Sequence, residues 1–203
     1  MKFIKNFILI LLFILPISNS FGAMHTFVQK AAVTDGTNKD PMGVHFNPAG
    51  TKMFILSQQP DNQAANTNGI YSHVSEYNLS APFDVSTKVY ASDDQRCILN
   101  SGETDFGPID KVHDLEFSND GLMLFVSRGN AKGTANDDRV FRFDLTSPYD
   151  VSTCAFANQT SDLDTSTLQD GSNAGDITEG ANNRLQGIEI NNDGTKLFAI
   201  FME

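Results

Sequence analysis

Short apolar stretches recur along the chain in pairs, and a polar turn separates the two members of each pair. In the first member apolar and polar residues alternate, at 44–46, 115–117 and 188–190. The second member is almost wholly apolar, at 53–56, 122–126 and 197–200. Alternation is typical of a strand with two different faces, and a short continuous apolar run is typical of a strand covered on both faces. The pattern therefore predicts three hairpins.

The turns inside these hairpins contain glycine, which tolerates the positive φ that tight hairpin turns require. The three glycines, Gly50, Gly121 and Gly194, are separated by 71 and 73 residues. A second block also recurs, because residues 76–87 match residues 142–153 and both end in Asp-Val-Ser-Thr. Two matching blocks in a fixed order indicate an internal repeat of about 70 residues.

Each full unit predicts four antiparallel strands: the two strands of the hairpin, a third at 74–79 or 140–145, and a fourth around 88–91 or 154–157. Tandem four-stranded units that leave no room for crossover helices favour an all-β fold. We expect a β-propeller with two full four-stranded blades and the first hairpin of a third, which is a partial ring. A stack of independent hairpins is the alternative, but it does not explain why the second strand is apolar on both faces.

Two stretches resemble known propeller repeats. Phe117-Ser-Asn-Asp-Gly121, followed by Phe125-Val-Ser127, resembles the inner hairpin of TolB-like propeller repeats. The block Tyr/Phe-x-Leu-Ser/Thr-x-Pro-x-Asp-Val-Ser-Thr resembles repeats of secreted bacterial propeller proteins. The resemblance covers about residues 41–203, and it implies the fold without implying an activity.

The repeat also predicts the organisation of the chain: blade 1 with its exit loop at 41–110, blade 2 with its exit loop at 111–186, and a truncated blade 3 at 187–203. Propellers close with about four or more blades. The missing blades therefore belong either to a longer protein, of which this chain is a fragment, or to other copies; we favour the fragment. Residues 23–40 are expected to hold a strand and a linker, and the strand either closes the ring or is a frayed extension.

Residues 1–22 are predicted to be a signal peptide. Lys2 and Lys5 precede an apolar run at 7–17, and small residues for cleavage follow. The run is shorter than the ~20 apolar residues that span a bilayer. We therefore expect export to the periplasm or the medium, with no stable membrane insertion after cleavage.

Export permits a disulfide, and the chain has two cysteines, Cys97 and Cys154. They occupy non-equivalent places in the repeat, so the sequence predicts a bridge and free thiols equally.

The net charge of the chain bears on its partners. The 14 Lys and Arg residues against 25 Asp and Glu residues give a net charge of −11. Such an acidic chain is not expected to bind nucleic acid, because neutralising phosphates requires clustered Lys and Arg.

The long polar loops are predicted to share one rim of the ring, because strand direction alternates within a blade. Those at 92–110 and 158–186 are acidic, and carboxylates are the ligands that Ca²⁺ prefers. Asp162, Asp164 and Asp170 are the metal candidates, although the Gly and Glu of a calcium loop are missing at Thr167 and Asn173. A solvated acidic loop is the simpler interpretation.

Three residues are candidates for chemistry at the channel mouth. His113 and Asp114 precede an inner strand, with Gln186 at the place equivalent to His113, and Glu189 lies on the next inner strand. A histidine here could act as a base or a ligand. A histidine in such a position more often forms a hydrogen bond with a neighbouring loop, so a structural role is favoured.

These observations support two hypotheses from different classes. The first is an exported propeller that acts as a binding or scaffold module and presents an acidic rim to a protein, peptide or glycan. The alternative is a Ca²⁺-dependent propeller hydrolase, similar to a lactonase, with carboxylates at the channel mouth. The chain shows no complete catalytic set and no certain cofactor, so an enzyme is the less favoured hypothesis.

Overall fold

The computed structural model describes residues 29–33, 40–58, 72–100, 111–129, 138–160, 184–191 and 195–202. The predicted signal peptide and the predicted strand around residues 26–28 lie outside these residues, so both stay predictions. The predicted calcium loop at 162–173 also lies outside them.

The first unit forms one antiparallel sheet, here called sheet 1. Its strands run in the order β1 (Asp40–Phe46), β2 (Lys52–Gln58), β3 (His73–Leu79) and β4 (Lys88–Tyr90), and β5 (Arg96–Ile98) also pairs with β3. The two predicted hairpin strands at 44–46 and 53–56 lie inside β1 and β2.

The second unit repeats this arrangement as sheet 2, and the third contributes a hairpin, sheet 3. Sheet 2 has the strand order β6 (Val112–Phe117), β7 (Met123–Arg128), β8 (Arg139–Asp144) and β9 (Ala155–Gln159). Sheet 3 pairs β10 (Arg184–Ile190) with β11 (Leu197–Met202). The described residues contain three short 3-10 turns and no α-helix, which confirms the predicted all-β class.

Sheet 1 differs from the prediction in its outermost position. The sequence predicts one fourth strand at 88–91 followed by a loop, whereas the structure has β4, a 3-10 turn (Asp93–Gln95) and then β5. β4 pairs only with Tyr77–Leu79, at the end of β3. β5 pairs with His73–Ser75, at the beginning of the same strand. An unpaired edge is costly when buried, so the extra strand completes the sheet.

The hairpin turns of all three units are held by the same side-chain contacts. Asn47 Oδ1 accepts hydrogen bonds from the amides of Thr51 and Lys52, both at 2.9 Å. Ser118 Oγ accepts one from the Met123 amide at 2.9 Å, and Asn191 Oδ1 accepts one from the Lys196 amide at 2.7 Å. The bonds join equivalent positions, so the repeat detected in the sequence is also a repeat of these side-chain contacts.

The second recurring block caps a 3-10 turn in the same way in both full units. Asp84 Oδ1 accepts bonds from the Ser86 amide at 3.0 Å and from the Ser86 hydroxyl at 2.6 Å. Asp150 Oδ1 makes the equivalent bonds with Ser152, at 3.2 and 2.6 Å. These local bonds explain why Asp-Val-Ser-Thr recurs unchanged, because the aspartate and the serine satisfy donors that the turn leaves free.

The first strands of the three sheets lie side by side. β6 packs between β1 and β10, and each of the three strands has a register irregularity at the same position, next to Gly43, Asp114 and Gly187. The main core fills the space between sheets 1 and 2, where residues such as Phe54 and Val74 meet Leu115 and Leu124. The strands β1, β6 and β10 are therefore aligned at equivalent residues.

This alignment gives the stack two edges. The hairpin edge carries the short turns at 47–51 and 118–122 and the capped blocks at 80–87 and 145–153. At the opposite edge, called the loop edge, the chain leaves the sheets after Gln58, Asn100, Gly129 and Thr160. Every long connection of the two full units starts and ends at the loop edge, because antiparallel strands reverse direction at each connection.

Candidate functional site

Asp114 lies on β6, between the first strands of sheets 1 and 3, and it joins sheet 2 to sheet 3. Its Oδ2 accepts a hydrogen bond from the Ile188 amide of β10 at 3.0 Å, and its Oδ1 accepts one from the Leu115 amide at 2.9 Å. The Asp114 amide donates to Ser127 Oγ at 2.9 Å. Both carboxylate oxygens are thus engaged with backbone amides, which is the chemistry of a structural clamp between sheets.

The positions equivalent to Asp114 in the other two units are both glycine, and this leaves room for its side chain. A Cβ added to Gly187 would lie 3.6 Å from Asp114 Oδ2. A Cβ added to Gly43 would lie 3.6 Å from Asp114 Oδ1 and only 2.8 Å from the Leu115 Cδ2 atom. The carboxylate therefore lies close to both glycines, and a side chain at Gly43 would crowd the same space.

His113 is the residue at the β6 irregularity, and its ring is directed to the loop edge. Nε2 lies 3.2 Å from the carbonyl oxygen of Gly129, just past the end of β7. This is a hydrogen bond with a backbone carbonyl group, and any catalytic role of His113 stays a prediction. At the equivalent position of sheet 3, the Gln186 Nε2 atom is buried without a hydrogen-bond partner.

Glu189 does not join Asp114 in one cluster. Its side chain is exposed on β10, opposite Phe198, while Asp114 contacts the amide of the preceding residue, Ile188. Among the residues that the structure describes, no group of three or more His, Cys, Asp or Glu side chains is arranged to hold a metal ion. Asp162, Asp164 and Asp170 lie outside the described residues, and the calcium site stays a prediction.

Cys97 and Cys154 form a disulfide that links sheet 1 to sheet 2, with a sulfur–sulfur distance of 2.07 Å. Cys97 is on β5, the strand that the sequence did not predict, and it is fully buried. Cys154 immediately precedes β9. The extra strand therefore has a second consequence: it brings one cysteine within reach of the other although the two are not equivalent in the repeat.

A partly buried ion pair in the cleft between sheets 1 and 2 was not predicted from the sequence. Lys52 Nζ lies 2.8 Å from Glu76 Oε1 and also donates to the carbonyl oxygen of Tyr149 at 2.9 Å. Desolvation raises the pKa of Glu76, and the contact with Lys52 opposes this rise. The Val151 amide also favours the charged form, but Oε2 is buried and has no partner at hydrogen-bond geometry.

A signal for this pair existed in the chain. Glu76 is a charged residue inside the predicted third strand and is only 5% exposed, and its equivalent in sheet 2, Arg142, is charged as well. A charge in such a position is rarely tolerated without a partner. Arg142 has a different partner, since it binds both carboxylate oxygens of Asp144 at 2.7 and 3.1 Å.

A cleft of about 300 Å³ lies between sheets 2 and 3, at the position equivalent to the ion pair. Its lining combines aromatic, aliphatic, cationic and amide groups: Phe125, Val140, Arg142, Gln159, Ile190 and Lys196. In the cleft between sheets 1 and 2, the corresponding space holds the ring of Tyr149, whose centroid lies 6.3 Å from that of Phe54.

No protein-family model matches the chain, and comparisons with curated proteins and with solved structures also give no match. Over the described residues, no helix has the length and apolar character needed to cross a membrane.

Proposed function

We propose that the chain is an exported scaffold of the β-propeller type that binds a cationic ligand at its loop edge. The observation that carries the proposal is the alignment of Gly43, Asp114 and Gly187 at the start of three neighbouring inner strands. Sheets that are ordered around their first strands, with the later strands directed outward, are typical of propeller blades. The resemblance to TolB-like repeats supports the same interpretation.

The chemistry of the loop edge supports a cationic ligand. The four connections that start there, 59–71, 101–110, 130–137 and 161–183, contain ten acidic residues and one basic residue, Lys132. Clustered charge of one sign attracts ligands of the opposite sign and accelerates their binding. Long loops on a rigid scaffold are also where binding residues are concentrated. A lysine-rich or arginine-rich segment of a partner protein has the matching chemistry.

The proposal is tested by measuring the binding of a decalysine peptide to the purified chain at low and at high salt. The substitutions Asp176→Asn and Glu179→Gln together remove two loop charges, and we expect them to weaken binding several-fold. A matched control, Asp144→Asn with Glu189→Gln, removes two charges near the hairpin edge and should leave the affinity unchanged. Equal effects of the two pairs would mean that only net charge matters, and would contradict a site at the loop edge.

Calcium separates this proposal from the hydrolase. A ligand that binds only the folded state must raise its stability. We expect the melting temperature to be unchanged by about 1 mM Ca²⁺. A rise that disappears in a variant carrying Asp162→Asn and Asp164→Asn would favour the calcium-dependent alternative instead.

A further inference from the structure

The face of sheet 1 that is turned away from sheet 2, here called the outward face, has a buried core of its own. Its residues alternate along β2 and β3 with Phe54, Leu56 and Val74, which form the core shared with sheet 2. Four of them are 6% exposed or less: Met53, Ile55, Tyr77 and Leu79. Among the described residues, Val33 is the only hydrophobic residue from outside the first unit that packs against these four. Residues 29–33 therefore belong to the cover of this face.

This segment is fastened to sheet 1 at two points. At one point the Tyr77 hydroxyl donates a hydrogen bond to the carbonyl oxygen of Val33 at 3.4 Å. At the other point both polar atoms of the Gln29 side chain bind the capped turn. Nε2 donates to Asp84 Oδ1 at 2.7 Å, and Oε1 accepts from the Val85 amide at 2.9 Å. One side chain thus satisfies an acceptor and a donor of the same turn.

The bond to the Val85 amide has a counterpart in the interior of the molecule. The equivalent turn of sheet 2 contains Asp150 and Val151, and the Val151 amide favours the charged form of the Glu76 carboxyl group. Glu76 belongs to sheet 1, so this amide is directed to an oxygen atom of the neighbouring sheet. Gln29 therefore supplies to sheet 1 the kind of acceptor that sheet 1 supplies to sheet 2.

The apolar residues show the same equivalence. Met53 and Tyr77 of the outward face correspond in the repeat to Leu124 and Phe143 of sheet 2. Both of these residues belong to the core between sheets 1 and 2, so a whole sheet covers the equivalent face of sheet 2. On sheet 1, within the described part of the chain, the same place is taken by residues 29–33, which form no strand.

We propose that residues 29–33 are a strap that closes the outward face of sheet 1 in place of a neighbouring sheet, and that the strap opens while the sheets stay folded. Segments that are held by few buried contacts and by exposed hydrogen bonds open well below the free energy of global unfolding. Residues 29–32 are exposed, and so are both hydrogen bonds of Gln29. The inference does not rest on the proposed function, since no group at the loop edge takes part in it.

Hydrogen exchange followed by mass spectrometry tests the strap on the full chain, because opening separates the Val85 amide from Gln29. Gln29→Ala should speed exchange in the peptide that contains Val85 by roughly tenfold, which is the effect of losing about two ordinary hydrogen bonds. The peptide that contains Val151 is the internal control and should exchange as in the wild type. Lys30→Ala, at the next exposed position, is the matched variant and should leave both peptides unchanged.

A fluorescent dye that binds apolar surface tests what the strap covers. Val33→Asp should increase the binding of the dye, because the open strap exposes Met53 and Tyr77. Ala32→Asp adds the same charge at an exposed neighbouring position and should leave dye binding unchanged. Circular dichroism verifies that both variants stay folded, which is expected because the substituted residues lie outside the sheets. If Val33→Asp unfolds, the exchange of Gln29→Ala decides alone.

Three results would overturn the proposal. Unchanged exchange of the Val85 peptide in Gln29→Ala would show that the segment is not held at the turn. Equal acceleration of the Val151 peptide would show a general loss of stability instead of the opening of a strap. Equal dye binding by folded Val33→Asp and Ala32→Asp would show that the segment covers no apolar surface.

Discussion

The ring of Tyr149 lies against Gly121 so closely that a Cβ added to the glycine would be 2.3 Å from the Tyr149 Cδ2 atom. Phe83 lies on Gly50 in the same way, at 2.4 Å. Both glycines have positive φ, and so do both aromatic residues, at 58° for Phe83 and 53° for Tyr149. The Phe83 and Tyr149 amides donate to the carbonyl oxygens of Gly50 and Gly121, at 2.8 and 2.9 Å. In each of the two full units, one hydrogen-bonded contact thus holds an unusual backbone conformation.

Gly121→Ala should therefore destabilise the fold strongly. The new methyl group would meet the Tyr149 ring, and alanine is strained at a φ of +70°. We expect a loss of about 2–4 kcal/mol in the free energy of unfolding, which combines backbone strain and overpacking. Urea denaturation measures it. Gly187→Ala is the control, because its nearest new contacts are ordinary ones at 3.6 Å or more. Similar losses in both variants would show that the ring contact is unimportant.

Removing the disulfide should cost about 4 kcal/mol by the chain-entropy relation for a loop of this length. The cysteines are 57 residues apart in the sequence, so the bridge restricts a large part of the unfolded chain. The measurement compares urea unfolding of the wild type with that of a Cys97→Ala and Cys154→Ala double variant. A reducing agent should lower the stability of the wild type and leave the double variant unchanged. Equal stability of the two proteins would contradict a bridge in solution.

Asp114→Ala should loosen sheet 3 more than the rest of the molecule. The substitution leaves the Ile188 amide without its acceptor, and an unsatisfied buried donor costs about 1–3 kcal/mol. We expect faster proteolysis within residues 184–202 and a lower free energy of unfolding. Glu189→Ala, an exposed neighbour on β10, serves as the control and should change the stability by less than about 0.5 kcal/mol. Uniform loosening of all three sheets would argue against a clamp between sheets 2 and 3.

The stability contributed by Glu76 should depend on pH in a specific direction. Burial raises its pKa above the ordinary value of 4.5, so the folded state binds the proton more tightly than the unfolded chain does. Its contribution is fully present below about pH 4.5 and is lost as the pH rises through the folded pKa. Relative to Glu76→Gln, the wild type should therefore become less stable as the pH rises above 4.5, the ordinary pKa of the group.

The control for this prediction is Asp120→Asn, because the opposite shift applies there. The Ser118 hydroxyl and the Leu122 amide hold the pKa of Asp120 below its ordinary value of 3.8. Its contribution is present above that value and is lost as the pH falls through the folded pKa. Urea denaturation over the pH range should thus give differences of opposite slope for the two variants. A pH-independent difference for Glu76→Gln would contradict the assigned burial effect.

Much of the fold was accessible from the sequence because its signals are local. The hairpins follow from alternation and from glycines at turns, and the structure confirms strands at 44–46, 115–117 and 188–190. β5 was missed because Arg96-Cys97-Ile98 is too short to show any period. It forms a strand only because β4 leaves part of β3 unpaired, which is a tertiary effect that no local pattern can encode.

The candidate site was less predictable for a related reason. His113, Asp114 and Glu189 were singled out by residue type and position, but their roles depend on contacts between sheets. Asp114 became a clamp because two residues about 70 positions away in either direction are glycines. The Lys52–Glu76 pair was missed because its third member, the Tyr149 carbonyl, belongs to another unit. The propeller itself, the ligand and the cleavage of the signal stay predictions.

The turn that Asp84 and Asp150 cap is held largely by its own residues, and this has a consequence for how such a molecule can lengthen. The bonds that join the aspartate to the serine and the threonine fall within the four residues of the Asp-Val-Ser-Thr block in both units. A duplicated gene segment would carry this turn complete, with no need for compensating changes elsewhere. The central position held by Gly43, Asp114 and Gly187 is the reverse case, because a second carboxylate there would crowd the first. Growth by duplication is thus less constrained at the hairpin edge than at the place where the first strands of the three sheets meet.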